Sequence, residues 1–135
     1  MRKKDAGKPG LQKAIKIDEK GKRYVGVLVS PGHGAGWSTW NKSNRFKLLD
    51  IQLVFDPVIV GLVETKHLFD GPDEFVAAVN DHVRDKYDDE DSTAYLGGAE
   101  NLTVRWVPEG RKFRIHEYDG YETVVLDDED DWFVA

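Results

Sequence analysis

Cysteine is absent from this chain of 135 residues. That excludes a disulfide framework, a thiolate zinc site and a cysteine nucleophile, and it fits a reducing compartment. No apolar run approaches the roughly 18 residues needed to span a bilayer as a helix. The basic start, Met1-Arg2-Lys3-Lys4, is not followed by the apolar segment that a signal peptide requires. The expectation is a soluble, cytoplasmic protein without a membrane partner. Repeats are missing as well. The four histidines, His33, His67, His82 and His116, show no HxH or HxxxH spacing, so neither a metal site nor any other cofactor is expected.

The familiar phosphate-binding words are also lacking. A P-loop needs two glycines separated by four residues, then Lys and Ser/Thr, so that amides cradle phosphate and Lys neutralises it. Around residues 31–38, Pro31 stands in place of the first Gly and Trp37 in place of the Lys. A dinucleotide fingerprint fails in the same segment, because Gly32 and Gly34 fit but Trp37 takes the last glycine's place. Ser30 or Ser38 with His33 would make a nucleophile–base pair only if an acid oriented the imidazole. Asp50 and Asp56 are the candidate acids for any such enzyme. Nothing singles out a glycosidase-type carboxylate pair among the 25 acids. The chain therefore reads as non-enzymatic, and no catalytic residue is assigned.

Charge is present but unevenly placed. Residues 1–23 hold nine Lys/Arg against three acids, whereas the remainder holds ten against twenty-two. Acids bunch at residues 85–91 and 127–131. One reading is a solvated acidic surface with a loose basic tail. The other is an acidic face that docks on a basic groove of a host protein. Net negative charge over the body of the chain argues against nucleic acid as a partner.

The size suits one domain with its own core. Residues 1–10 are polar, contain Gly7, Pro9 and Gly10, and read as a mobile basic tail before a domain over 11–135. Residues 11–17 and 22–30 flank a turn at Asp18-Glu19-Lys20-Gly21 and read as a hairpin. Its second strand is a β-rich run in which Gly26 permits a bulge or a close contact. Residues 44–55 fit no single period. Asp56-Pro57 reads as N-cap and N1 of a helix to about His67. A second helix opens at Pro72 and runs to about Tyr87, with Phe75, Val76, Val79 and Val83 on one face. From Leu102 the pattern is β, with Trp106 on a core-facing row. Asp119-Gly120 suits a type I′ hairpin turn, and Trp132 beside Phe133 reads as a residue that docks the C-terminus. The expected fold is α+β: a twisted antiparallel sheet of about five or six strands, two helices and a C-terminal β-meander. Residues 11–17 are the expected sheet edge, a route to a homo-oligomer.

The densest word is Ser30-Pro31-Gly32-His33-Gly34-Ala35-Gly36-Trp37-Ser38-Thr39-Trp40-Asn41, directly after the apolar strand. Glycine lets backbone approach a ligand or another segment closely, and a second close-approach site follows at Gly97-Gly98. Two readings stand side by side. In the first, His33, Gly34, Gly36, Trp37, Ser38, Thr39, Trp40 and Asn41, with Gly97 and Gly98, bind a small nucleotide-like or sugar-like ligand. There the tryptophans stack, the hydroxyls and Asn41 hydrogen-bond, and Lys42, Arg45 and Lys47 neutralise an anion. In the second, Trp37 and Trp40 anchor the loop on the core, and function lies with a protein partner.

The Gly/Trp word after its strand, the later Tyr95-Leu96-Gly97-Gly98-Ala99 and the closing Trp132-Phe133-Val134-Ala135 resemble a group of small phage and prophage proteins. The resemblance covers the chain from about residue 24 onward. It implies a bacterial or phage cytoplasmic setting and brings no catalytic residues with it. The leading expectation from the residues themselves is a non-enzymatic accessory protein of phage type that acts by binding.

Overall fold

The structure is a computed structural model, which describes residues 12–34, 36–41, 49–88 and 97–126, without the side chains of Leu49 and Asp50. The basic tail, the acidic runs past Asp88 and the Trp132-Phe133 pair lie outside the described residues. The architecture is α+β, with three α-helices and two antiparallel sheets among the described residues.

The first hairpin forms as its sequence predicts. Strand β1 (Ile15–Ile17) pairs with β2 (Arg23–Val29) in the register Ile15↔Val25. Asp18 builds the turn, its carboxylate accepting the amides of Lys20 and Lys22 at 2.9 Å each, and Gly21 takes φ +83°. On its other side β2 pairs with β3 (Thr103–Pro108), from Tyr24↔Pro108 to Val29↔Thr103. Gly26 gives the close approach expected of it: a Cβ there would sit 3.1 Å from the ring of Trp106. Trp106 is half-buried against the core.

Strand β2 serves two cores at once, which is why its sequence is a continuous apolar run rather than an alternation. Leu28 packs with Trp37, Leu53, Ile59, Phe75, Val79 and Leu102. Val27 and Val29, on the opposite face, pack with Val54, Val107, Val124 and Leu126. The short helix α1 (Leu49–Phe55) lies in the stretch where no period was legible. It sends Leu53 into one core and Val54 into the other, so its apolar residues follow no single stripe.

Helix α2 (Pro57–Glu64) begins at the expected cap, with Asp56 accepting from the amides of Val58 and Ile59. It ends earlier than expected. Thr65 closes it by donating to the Gly61 carbonyl, and a single 3₁₀ turn carries Lys66–Leu68. Helix α3 (Pro72–Tyr87) has its proline and acids in the first turn and buries Phe75, Val79 and Val83 on one stripe.

The C-terminal strands depart from a single sheet. Strands β4 (Phe113–Tyr118) and β5 (Tyr121–Leu126) form a separate hairpin, closed by Asp119 at φ 51° and Gly120 at φ 85°. Strand β3 is paired with β2 rather than β4. The physical reason is burial. Val124 and Leu126 cover the outer row of Val27, Val29 and Val107, and that contact needs the hairpin stacked on the sheet rather than added to its edge. A bridge between Pro31 and Tyr121, and the Glu122 amide donating to the Ser30 carbonyl at 3.0 Å, stitch the two sheets together.

Asp56 also ties α2 to the far end of α3. Its buried carboxylate meets His82 Nε2 at 3.0 Å, Lys86 Nζ at 3.3 Å and the Tyr87 hydroxyl. Burial pushes its carboxyl up, but the hydrogen bonds from Tyr87, His82 and the Ile59 amide outweigh that and hold it below the ordinary 3.8. Burial and the Asp56 carboxylate push Tyr87 well above the usual phenol range. A group whose folded pKa is lowered adds stability above its unfolded value and loses it as pH falls through the folded one. Asp56→Ala is expected to cost about 2–4 kcal/mol at pH 7 in urea unfolding. The gap to wild type should shrink as the pH falls below the ordinary aspartate value. A gap independent of pH between 6 and 2 would contradict this role.

Candidate functional site

The Gly/Trp loop closes around one buried acid. Strand β5 alternates, with Glu122, Val124 and Leu126 inward and Tyr121 and Thr123 outward. The first inward position therefore places a carboxylate beneath the loop. Glu122 is 0% exposed. Its Oε1 accepts from the Ser30 amide at 3.0 Å; its Oε2 accepts from the amides of Trp37 at 2.7 Å and Thr39 at 3.1 Å and from the Thr39 hydroxyl. Amides converging on one negative group are the arrangement by which glycine-rich loops hold an external anion. Here the anion belongs to the chain itself.

Several backbone segments around this carboxylate approach one another closely. Gly34 and Gly36 donate to the carbonyls of Asp119 and Gly120 at the hairpin turn. The Ser30 hydroxyl donates to the Gly98 carbonyl at 3.0 Å. A Cβ on Gly98 would stand 1.8 Å from the Gly36 carbonyl oxygen, and one on Gly36 (φ +63°) would stand 2.4 Å from the Trp40 ring.

The two tryptophans take opposite roles. Trp37 is 0% exposed and donates its indole N–H to the Leu53 carbonyl at 3.1 Å. Its ring is part of the core and has no face for a solvent-borne ligand. Three residues on, past the start of a 3₁₀ turn (Thr39–Asn41), Trp40 is 40% exposed. Its indole N–H donates to Glu117 at 3.2 Å, and Glu117 also accepts from the Gly120 amide at 2.6 Å. Ser38 and Asn41 are buried, and Asn41 donates to the Trp37 carbonyl at 2.7 Å. Thr39 is half-buried, Gly97 exposed and Gly98 buried.

The sequence-predicted residues thus divide. Gly36, Trp37, Ser38, Asn41 and Gly98 face inward, while His33, Gly34, Trp40 and Gly97 are exposed. Ala35, Lys42, Arg45, Lys47, Tyr95 and Leu96 lie outside the described residues. His33 packs against rings from the hairpin, with centroids 5.1 Å from Tyr121 and 6.1 Å from Tyr118. Among the described residues it meets no carboxylate partner. Asp56, one of its two candidate acids, is bound to His82 instead. An exposed group of His33, Trp40, Tyr118 and Tyr121 is therefore assembled from the loop and the β4–β5 tip, with Tyr118 70% exposed. Glu122 and the two hairpin tyrosines were missed in the sequence. The period-2 pattern behind the Asp-Gly turn was the signal that would have placed Glu122 inward.

No protein-family model, no curated protein and no solved structure matches the chain. Among the described residues, no group of His, Asp or Glu is clustered to hold a metal ion, and no helix is long and apolar enough to cross a membrane.

Two substitutions test the closed loop. Gly98→Ala should cost about 3 kcal/mol or more, because backbone must move to admit the methyl group. Glu122→Gln turns an amide N–H₂ toward donors that need an acceptor and should cost about 2 kcal/mol. Both should weaken the near-ultraviolet dichroism of Trp37. A Gly98→Ala protein that melts like wild type would rule out the tight closure.

Proposed function

We propose that this protein acts by binding a protein partner, with His33, Trp40, Tyr118 and Tyr121 as its contact surface and the inner half of the Gly/Trp loop as the brace that holds them. The observation that carries this reading is the filled space between Gly36, Trp40 and Gly98, where one added carbon already collides. A nucleotide-like or sugar-like ligand needs concave room between those segments, and the anion position there is taken by Glu122.

The outward side has the composition of an interface centre. Tyr and Trp bring large apolar area with few rotamers to freeze and keep one polar atom each. Glu117 and Asp119 flank the rings, and further exposed acids run along α3 at Asp73, Glu74, Asp81 and Asp85. The fitting partner presents a basic rim around an apolar insertion. An accessory protein of phage type that docks on a host protein in the cytoplasm is the setting in which such a surface makes sense, and catalysis has no part in this reading.

Photo-crosslinking tests it. A benzoylphenylalanine at position 118 should capture a defined host protein, and the same probe at position 17, on β1, should not. Trp40→Ala should weaken that capture about tenfold or more while remaining folded. Crosslinks at position 17 alone would overturn the proposed surface. A nucleotide or sugar that raises the melting point of wild type but not of Trp40→Ala would establish the small-ligand reading in its place.

A further inference from the structure

The formal charge of −6 is an average over segments of opposite sign. Residues 57–88, which span α2 and α3, hold seven acids against three Lys/Arg. Residues 12–24 and 104–114, which span the β1–β2 hairpin, most of β3 and the turn that leaves it, hold nine Lys/Arg against three acids. Two of those three acids are engaged. Asp18 accepts the turn amides, and Glu109 accepts from Arg23 Nε at 2.8 Å. Lys16, Lys20, Lys22 and Lys112 are exposed and make no ion pair among the described residues. The turn that carries Lys112 lies against the start of β2, since the Glu109 amide donates to the Arg23 carbonyl at 3.0 Å. Screening limits the reach of exposed charges to about 10 Å, so a polyanion responds to the face it approaches rather than to the chain's total.

Aromatic rings stand among these cations. The register puts Lys16, Tyr24 and Trp106 on one side of the sheet, on three adjacent strands. Lys16 pairs with Tyr24, and Trp106 pairs with Gly26, the next residue of β2 on that side. Lys16 Nζ stands 5.0 Å from the centre of the Trp106 ring and Lys22 Nζ 5.5 Å from that of Tyr24. Both rings are half-buried, so each keeps an outward part. A base stacked on a ring contributes more than an exposed lysine over it. The base therefore displaces the ammonium, which stays within reach of the neighbouring phosphate.

We infer that this end of the sheet binds single-stranded nucleic acid, with Tyr24 and Trp106 stacking bases and Lys16, Lys20, Lys22 and Lys112 facing phosphates. The summed charge of the body, which speaks against nucleic acid, does not describe this face. Single strands are the fitting form, because a duplex keeps its bases stacked on one another and away from the rings. An acidic protein or an anionic bilayer would use the lysines without the rings. The face shares no residue with the surface around Trp40, and either can fail without the other.

The probes are a fluorescein-labelled oligothymidylate of about 20 nucleotides, its duplex with oligoadenylate, heparin, and vesicles containing phosphatidylserine. Anisotropy reads the first three and sedimentation the last. The strand should bind more tightly than the duplex and weaken steeply with salt as counterions are released. A Lys16→Gln/Lys22→Gln protein should melt close to wild type and bind the strand at least about tenfold more weakly. Arg84→Gln, which removes a positive charge from α3, should bind it as wild type does. Tyr24→Leu should weaken the strand about tenfold and leave heparin binding unchanged. No binding of the strand at about 50 mM salt would overturn the inference. So would equal binding of strand and duplex, or a Lys16→Gln/Lys22→Gln protein that binds as wild type does. Sedimentation with the vesicles in place of strand binding would assign the face to a bilayer instead.

Discussion

The Glu122 carboxylate sits in the protein interior at a desolvation cost of several kcal/mol, and it remains there because four donors point at it. Hydrogen bonds to a charged group contribute about 1.5–3 kcal/mol each, so the set is of a size to offset the burial. Three of the donors are backbone amides from residues 30–39, a stretch with little regular structure of its own. The acid therefore supplies the loop with the partners a helix or strand would have provided. Where Trp37 enters the core, where Trp40 emerges and how the hairpin tip meets the loop all follow from that one side chain.

Asp56 repeats the device elsewhere. It is also a buried carboxylate that accepts from amides, at the start of α2, and it also reaches a distant element through His82, Lys86 and Tyr87. Each acid converts a local problem, an unsatisfied run of amides, into a long-range tie. Neither tie depends on shape alone, and the two lie at different junctions of the fold.

Much of the local structure was legible in the sequence because it rests on short-range chemistry. Asp56-Pro57 names a cap and a first turn, Asp119-Gly120 names a turn with two positive φ angles, and Phe75, Val79 and Val83 name one helix face. The stacking of β4–β5 on the larger sheet was not legible, since period-2 alternation tells which residues turn inward but not whether a strand meets its neighbour by edge or by face. Helix α1 was hidden for a related reason: Leu53 and Val54 serve different cores, so its pattern has no single stripe. In the Gly/Trp loop the residue types announced close approach correctly. They did not announce the object approached, which was Gly98 and Glu122 from the chain's own later segments.

The position of β2 between two cores bears on how the molecule opens. Leu28 faces one cluster and Val27 and Val29 the other, so neither cluster can be exposed while the strand stays in place. Its partners are remote in the chain: β3 begins 74 residues after Val29, and Glu122 lies 92 residues from Ser30. Separate opening of either half is thereby suppressed. The amide protons at the centre of β2 should therefore exchange with solvent only when the whole domain unfolds, whereas the exposed β1 edge should open at lower cost.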